Sequence, residues 1–382
     1  MPSQGALAGT TVLDVSRLLP GPLCSMILAD HGARVIAVSR PDPEEKKGFL
    51  EPLYRNKEHI TLDLKAEEGK QVFLKLAQAT DVIVEGFRPG VVQRLGIDYS
   101  TIRALNPAVI YCAITGYGQT GPLKDHAGHD VNFLSLAGVL DLIGPSGGAP
   151  VIPGIQIADA AGALQAAIGI LLALNARSGT GKGQYIDISM TDATAALFAP
   201  MALELCRRMG RVPSRGDHFL SHRYACYNIY ETGDGRYLSV GAIENRFWTA
   251  LCRHLDAPHF GPLQFDEDHR QEILDFMRST FKRRTLREWR QDLAGLDVCW
   301  APVHNLEDVL HDPLFRERQM VMGPGEGDST GTVMIGIPVK LSETPGKIRT
   351  PPAHFGDHTA SILEELGYSR REIETLRQTG VV

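Results

Sequence analysis

Cysteine is scarce in this sequence, and the spacing of the few cysteines excludes two common roles. Six cysteines are spread over 382 residues, and no two of them form a Cys-x-x-Cys pair. Disulfide frameworks and structural zinc sites need closely spaced cysteines, so we expect neither. The low count favours a reducing compartment and predicts a cytoplasmic protein.

Long apolar runs are missing as well. The most apolar stretch, residues 166–174, has nine residues, whereas a membrane-spanning helix needs roughly 18 or more. The first residues contain no basic segment followed by an apolar one, so the sequence predicts no secretory signal. We therefore expect no association with a membrane.

The third deficit is positive charge. Lysine and arginine number 39 against 45 aspartates and glutamates, which gives a net charge of −6. Proteins with nucleic acid as their general partner usually present a strongly basic surface, so we expect no nucleic-acid partner. A local basic pocket for a small phosphorylated ligand is compatible with this composition.

The sequence does contain enough apolar residues for a folded core, because they make up 43% of the chain. In the first third, short β-rich runs alternate with helical patterns. Strands are predicted at 11–15, 34–38, 81–85 and 108–114, and helices at 23–31, 67–78 and 90–95. This alternation predicts an α/β fold with a mostly parallel sheet covered by helices. Ligands of such sheets bind at the carboxyl ends of the strands.

The rest of the chain predicts a second region and a returning tail. Predicted elements are helices at 130–143 and 160–176, a strand at 184–189, irregular structure at 195–225, a hairpin at 224–240 and charged helices at 245–292. A helical pair at 357–376, closed by Gly367, is expected to return to the first domain. We predict a large domain at 1–195, a linker at 196–225, a small domain at 226–320 and the return at 321–382.

A Gly-x-Gly-x-x-Gly motif, Gly116 to Gly121, follows the predicted strand at 108–114. A dinucleotide-binding fingerprint requires a helix to begin there, with its N-terminus on the pyrophosphate. Pro122 follows instead, and no helical pattern begins. The motif therefore predicts a glycine-rich loop, in a place where a ligand site can still form.

Three polar residues stand at the ends of predicted elements: His129 and Asp159 at the starts of two helices, and Glu244 just past a strand. Each has a structural alternative. Asp130 would cap the first helix beside a loop histidine, and Asp159 would be the N-cap of the second. Glu244 would be a solvated strand end. The functional alternative for Asp159 is a carboxylate beside unpaired backbone N–H groups, which can hold a developing oxyanion.

Short motifs follow one another in order along nearly the whole chain. They are residues 20–22, 28–33, 55–57, 61–65, 85–90, 95–96, 116–122, 180–184, 225–228, 301–303 and 356–359. This series resembles family III of the CoA-transferases, the CaiB/BaiF group, which also contains α-methylacyl-CoA racemase. The resemblance implies a large Rossmann-like CoA-binding domain, a smaller α+β domain and an intertwined homodimer. Each site would lie between the large domain of one subunit and the small domain of the other.

The resemblance also implies the reacting residues. The aspartate that matches Asp159 is the nucleophile of an acyl anhydride in the transferases and a proton carrier in the racemases. The racemases add a histidine in a Gly-His-Asp-x-Asn segment, matched by His129, and a glutamate that pairs with it, matched by Glu244. The expected activity is therefore epimerisation of a 2-methylacyl-CoA at C2, by two-base proton transfer through an enolate. Backbone N–H groups at the start of the Asp159 helix are the expected donors to the enolate oxygen.

Two other activities stay open. One is a CoA-transferase that moves CoA between carboxylic acids through an Asp159 acyl anhydride, and the other is a non-catalytic acyl-CoA-binding protein. Residues 219–224 contain no glycine, although many relatives have glycines in this region and the transferases use them in a loop over the reactive aspartate. A stiffer and bulkier loop here is expected to alter acyl specificity.

The ligand contacts implied by the resemblance are a set of cations for the CoA phosphates and two residues near the thioester. They are Arg40, Lys57, Arg88 and Lys124, with Tyr117 and Gly118 at the thioester. Each cation has the alternative of a solvated surface residue. No metal or redox cofactor is expected, and coenzyme A enters as part of the acyl-CoA substrate.

Overall fold

The computed structural model describes residues 5–47, 50–323 and 333–382. The chain divides into two compact units, which we call the large unit and the small unit. The large unit comprises Met1–Ala137, Gly154–Leu197 and Glu317–Val382, and the small unit comprises Gly138–Pro153 and Phe198–Arg316. Residues 138–153, expected in the large domain, belong to the small unit. So does nearly all of the predicted linker at 196–225.

The strands of the described residues, numbered in chain order, form three sheets. They are β1 Thr11–Asp14, β2 Arg34–Ser39, β3 Lys57–Thr61, β4 Val82–Glu85, β5 Ile110–Thr115, β6 Tyr185–Ser189, β7 Tyr227–Glu231, β8 Tyr237–Gly241, β9 Trp300–Pro302, β10 Val321–Met322 and β11 Met334–Ile335. The first six form one sheet in the order β3-β2-β1-β4-β5-β6, and all of its neighbouring pairs are parallel.

The helices are likewise numbered in chain order. They are α1 Pro20–Asp30, α2 Pro43–Lys47, α3 Glu67–Gln78, α4 Val91–Leu95, α5 Tyr99–Leu105, α6 Asp130–Leu136, α7 Ile157–Thr180, α8 Met190–Met209, α9 Asn245–His254, α10 Arg270–Phe281, α11 Leu286–Asp292, α12 Leu306–His311, α13 Pro313–Glu317, α14 Thr359–Glu365 and α15 Arg370–Gln378. Short 3₁₀ turns lie at Glu51–Tyr54, Leu140–Leu142 and Pro258–Leu263.

The predicted α/β architecture is confirmed, and three local expectations are wrong. Residues 195–205 are helical rather than irregular, because α8 continues to Met209. Helix α6 ends at Leu136 instead of extending to 143, since Gly138 turns the chain with a positive φ of 73°. Strand β3 was not predicted, because its sequence Lys-Glu-His-Ile-Thr is polar. Its Lys57 and His59 are nevertheless buried, each with partners inside the protein.

The strand order explains where a ligand can bind. Strands β1 and β4 are neighbours, and the chain proceeds outward from them in opposite directions. This is the topological switch point of a doubly wound sheet, and the loops that leave its carboxyl ends diverge to form a crevice. The structure thus predicts a site beside residues 15–19 and 86–90.

The tail completes the core of the large unit. The fully buried Leu363 of α14 packs in one cluster with Ile60 of β3 and Phe73 of α3. Backbone contacts join the same regions, since the N–H of Asp63 donates to the carbonyl of Val381 at 2.7 Å. The predicted return of the tail is therefore observed, with Gly367 at a positive φ of 85° between the two tail helices.

The small unit has its own sheet and core. Strands β7, β8 and β9 form an antiparallel sheet, and the predicted hairpin is its first pair. Helices α9, α10 and α11 bury Trp248, Phe281 and Trp289 beside Tyr230 of β7. The unit thus has a continuous apolar core built from its own residues.

Helix α7 buries mostly small residues and exposes most of its large ones. Six of its eight alanines, among them Ala158, Ala161 and Ala166, are buried, and the helix packs on α1, β5 and β6. Leu164, Ile168, Leu171 and Leu172 are 44–64% exposed, and their spacing places them on one face. Among the described helices, α7 alone is long and apolar enough to cross a membrane. Polar residues interrupt it, so no unbroken run of apolar residues in it has the length of a membrane span.

Candidate active site

A cleft of about 450 Å³ lies at the switch point. The loops after β1, β4 and β5 form its walls together with the starts of α6 and α7. Its lining includes Ser16, Arg17, Arg88, Tyr117, Lys124, His129 and Asp159. A larger cavity of about 720 Å³ lies at the opposite, amino edge of β2 and β3, but it contains neither His129 nor Asp159.

One carboxylate brings the two predicted reactive residues into this cleft. Oδ1 of Asp130 accepts hydrogen bonds from the backbone N–H groups of Ala158, at 2.6 Å, and Asp159, at 3.1 Å. Asp130 is the first residue of α6, and Asp159 is the third residue of α7. The start of α6, which follows His129, is thereby tied to the start of α7.

The helix-capping roles considered for Asp130 and Asp159 are not observed. Asp130 does not cap its own helix, because its carboxylate bonds the first turn of α7. The residue before α6 is His129, whose backbone N–H donates to Oδ1 of Asn132 at 3.0 Å. Asp159 is not an N-cap either, because Gln156 holds that position. Its side chain is half-buried and lines the cleft.

The environment of Asp159 favours its protonated form. Burial is the main cause, and the negative charge of Asp130 adds to it, while His129 acts in the opposite direction. Together they raise the pKa of Asp159 to about 6. A carboxyl group whose pKa lies near neutrality can both accept and return a proton at working pH, which an ordinary aspartate does poorly.

The expected oxyanion donors are partly occupied. The N–H groups of Ala158 and Asp159 donate to Asp130, and that of Ala160 donates to the carbonyl of Gln156. Among the described residues, the N–H groups of Asp130, Val131 and Ile157 have no acceptor. Unoccupied backbone donors therefore lie at the starts of both α6 and α7.

The glycine-rich loop after β5 lines the cleft as a loop and opens no helix, as expected. The N–H of Gln119 donates to both carboxylate oxygens of Asp187, at 3.1 Å each, which ties the loop to β6. Tyr117 lines the cleft and packs edge-to-face on Phe133, with ring centroids 5.2 Å apart. Gly118 is buried behind this wall and does not line the cleft.

The predicted cations lie in different places. Arg88 and Lys124 are exposed and line the 450 Å³ cleft. Arg40 lines two adjoining clefts of about 340 and 280 Å³. Sequence reasoning missed Arg17, which lines all three clefts. Its position directly after β1, at the carboxyl edge of the sheet, is the signal that points to it.

Lys57 has a structural role instead of a place in the cleft. Its side chain is fully buried, and its ammonium donates to the carbonyl of Pro22 at 2.8 Å and to Oγ of Ser25 at 2.7 Å. The buried carboxylate of Asp14 lies 3.6 Å away, and the ring of Tyr54 lies 4.8 Å from Nζ. Burial lowers the pKa of Lys57 to about 8, against the opposing effect of Asp14. The network fixes the start of α1, whose first residues line the cleft.

The remaining predicted site residues belong to the small unit. Glu244 is exposed and is the N-cap residue of α9. In the glycine-free segment 219–224, Arg223 donates to Glu267 at 2.8 Å and also bonds Asp217. Tyr224 donates to the same Glu267 oxygen at 2.5 Å. The segment is therefore held in place by its own unit, and the pairing of Glu244 with His129 stays a prediction.

Comparison with known proteins places these features in one family. The family model of CoA-transferase family III matches residues 7–359. The human alpha-methylacyl-CoA racemase is 37% identical, over 99% of this chain and 97% of its own length. The human succinyl-CoA:glutarate CoA-transferase is 31% identical, over 98% and 90%. A crystal structure of a CAIB/BAIF family protein from Brucella suis has a TM-score of 0.83 at 28% identity, covering 95% of this chain and all of that one.

Replacing Asp130 by asparagine removes a negative charge but keeps an oxygen that can accept the α7 N–H groups. We expect Asp130→Asn to lower the pKa of Asp159 below its value of about 6, because a neighbouring like charge disfavours the ionised carboxylate. Carbon-13 NMR titration of labelled aspartate side chains, assigned with Asp159→Asn, measures the shift. A pKa that stays unchanged or rises would contradict this electrostatic account.

Replacing Lys57 by methionine leaves Asp14 as a buried carboxylate without its cation. Breaking a buried pair in this way costs about 3–5 kcal/mol of unfolding free energy, which urea denaturation measures. Adding Asp14→Asn should recover part of the loss, because no buried charge is then left without a partner. A single variant as stable as the wild type, or a double variant less stable than the single one, would contradict the structural role of Lys57.

Proposed function

Because the chain belongs to CoA-transferase family III, we propose that it epimerises acyl-CoA thioesters at C2 by proton transfer. The chain is an enzyme of a group whose members include racemases and transferases of acyl-CoA thioesters. The finer assignment rests on one observation. His129 and Asp159 line the same cleft at the switch point of the sheet.

Epimerisation requires two groups that exchange protons with one carbon. The hydrogen at C2 of an acyl thioester is weakly acidic, and its removal gives an enolate. One group removes this proton from one face, and the other returns a proton to the opposite face. A carboxyl group with a pKa near 6 suits both roles, because it exists in both protonation states near neutrality. Imidazole is the commonest general acid–base group in enzymes. Neither a metal nor a redox group is needed for this step.

The same cleft can hold the polar parts of the substrate. The unoccupied backbone N–H groups of Asp130, Val131 and Ile157 are candidate donors for the enolate oxygen, and donors fixed at a developing charge are worth several kcal/mol. Arg88 and Lys124 supply positive charge at the cleft. Arg40 lies in the adjoining clefts, so an extended ligand with phosphates at one end and a thioester at the other matches this succession.

The transferase is the second candidate, and the position of Asp159 favours it as well. A half-exposed carboxylate in the first turn of a helix can attack a thioester carbonyl, form an acyl anhydride and release the CoA thiolate. The thiolate then attacks the aspartyl carbonyl, which releases the donor acid and leaves CoA on Asp159 as a thioester. The acceptor carboxylate displaces the thiolate to form a second anhydride, and attack of the thiolate on its acyl carbonyl gives the new acyl-CoA and free Asp159. This candidate requires Asp159 to be ionised in the free enzyme and gives His129 no necessary role.

We also propose that two copies of the chain associate through the exposed face of α7. Leu164, Ile168, Leu171 and Leu172 form an apolar stripe on a helix whose other face is buried. Monomeric soluble proteins rarely expose a contiguous stripe of this kind. A second copy presenting the same stripe would cover it by two-fold symmetry, which agrees with the homodimer that the family resemblance implies.

Deuterium uptake in heavy water tests the epimerase assignment. Wild-type protein incubated with one enantiomer of a 2-methylacyl-CoA should incorporate deuterium at C2 and lose optical purity, followed by mass spectrometry and chiral analysis. Inversion should fall at least about 100-fold in His129→Ala and in Asp159→Ala, since general acid–base groups contribute roughly that much. Lys182→Ala, an exposed cation outside the cleft, is the control.

Two other results would replace this assignment. An acyl adduct at Asp159 trapped with hydroxylamine, in the absence of C2 exchange, would establish the transferase. Tight acyl-CoA binding with neither exchange nor transfer would establish a non-catalytic binding protein.

Size-exclusion chromatography with light scattering tests the α7 interface. The wild type should have the mass of a dimer, and Ile168→Glu with Leu172→Glu should give a folded monomer, because both side chains are exposed in the single chain. Leu105→Glu, an apolar side chain of similar exposure on α5, is the matched control. A monomeric wild type would contradict the interface, as would a dimeric double variant or vesicle binding that the double variant abolishes.

A further inference from the structure

Arg17 and Arg40, which lie where the three clefts meet, form ion pairs with acidic residues of one short segment. Nη2 of Arg17 lies 2.7 Å from Oε1 of Glu45. The guanidinium of Arg40 pairs with Asp42. The second oxygen of Glu45 accepts the backbone N–H of Arg40 at 2.9 Å. Residues 42–45, where α2 begins, thus place a carboxylate on each arginine.

The two members of each pair differ in exposure. The side chains of Asp42 and Glu45 are 18% and 15% exposed, whereas those of Arg40 and Arg17 are 40% and 53% exposed. Both acids also line the 340 Å³ cleft, so each ion pair lies at the cleft wall with its guanidinium as the more exposed member. Both arginines line the 340 and 280 Å³ clefts, and Arg17 also lines the cleft of His129 and Asp159.

Elementary energetics favour an exchange of partners here. Partly exposed ion pairs contribute little to stability, so they are replaced at small cost. Guanidinium groups form paired, charge-assisted hydrogen bonds with phosphate oxygens, and the two charges of a diphosphate can replace those of the two carboxylates. Helix α2 is a single turn of five residues, and so short a helix is easily displaced.

We infer that Asp42 and Glu45 act as an internal anion, which holds Arg17 and Arg40 until the diphosphate of a CoA thioester takes their place. The inference rests on the proposed function, because it takes the substrate to be a CoA thioester. Arg17 then contacts the ligand where its nucleotide end meets the reaction cleft. The Glu45 carboxylate competes with the ligand and lowers its affinity.

Calorimetric titration of the full-length protein with free CoA tests this exchange. Glu45→Gln should tighten CoA binding roughly two- to fivefold, because one partly exposed ion pair no longer competes. Arg17→Gln should weaken it roughly tenfold or more, because it removes a charged donor to phosphate. In the Arg17→Gln background, Glu45→Gln should have no further effect, since the two residues act through one pair.

Two controls separate this exchange from other effects. Glu68→Gln makes the same change in net charge at an exposed residue outside the clefts and should leave the affinity for CoA within about twofold. Pantetheine lacks the phosphates, so its affinity should not respond to Glu45→Gln.

The failures are distinguishable. If CoA binds the wild type but Glu45→Gln and Glu68→Gln behave alike, or pantetheine responds as CoA does, the exchange is overturned and the proposed function stands. If CoA does not bind the wild type at all, the proposed function fails and the exchange fails with it.

Discussion

The carboxylate of Asp130 determines the geometry of the reaction site. By accepting the N–H groups of Ala158 and Asp159, it joins the starts of two helices that are distant in sequence. His129 and Asp159 consequently face one cleft, and the charge of Asp130 helps to raise the pKa of Asp159 to about 6. The same two bonds occupy two of the first-turn N–H groups of α7. One contact thus places His129 and Asp159 at one cleft and raises the pKa of Asp159.

The sheet and its buried charged residues position the loops that line the same cleft. The order β3-β2-β1-β4-β5-β6 opens a crevice between the loops after β1 and β4. Beneath the loop after β1, Lys57 bonds the carbonyl of Pro22 and the hydroxyl of Ser25, next to the buried Asp14. The start of α1 is thereby fixed where it lines the cleft. Next to this loop, Arg17 and Arg40 form partly exposed ion pairs with Glu45 and Asp42.

Local patterns in the sequence predict much of this structure. The features that they do not predict depend on contacts between residues distant in the chain. The alternation of strands and helices predicts the parallel sheet, and the bounds of α3 match the predicted 67–78 because its apolar spacing is regular. The motifs around His129 and Asp159 indicate the reacting pair. By contrast, the role of Asp130 depends on a partner 28 residues away. The burial of Lys57 likewise depends on Asp14 and Pro22, so a cation that seemed suited to a phosphate proves to be internal. Strand β3 is polar and is not predicted for the same reason, because the partners of its buried Lys57 and His59 lie elsewhere in the chain.

The central claim is that His129 and Asp159 act on opposite faces of one carbon, and single-enantiomer exchange tests it most directly. Each enantiomer of a 2-methylacyl-CoA is incubated in heavy water with His129→Ala and with Asp159→Ala, and early deuterium uptake at C2 is measured for all four combinations. The account predicts one-sided behaviour: each variant keeps exchange with one enantiomer and loses it with the other, and the two variants show opposite preferences. Equal loss for both enantiomers in both variants, or full exchange with both enantiomers in either variant, would contradict it.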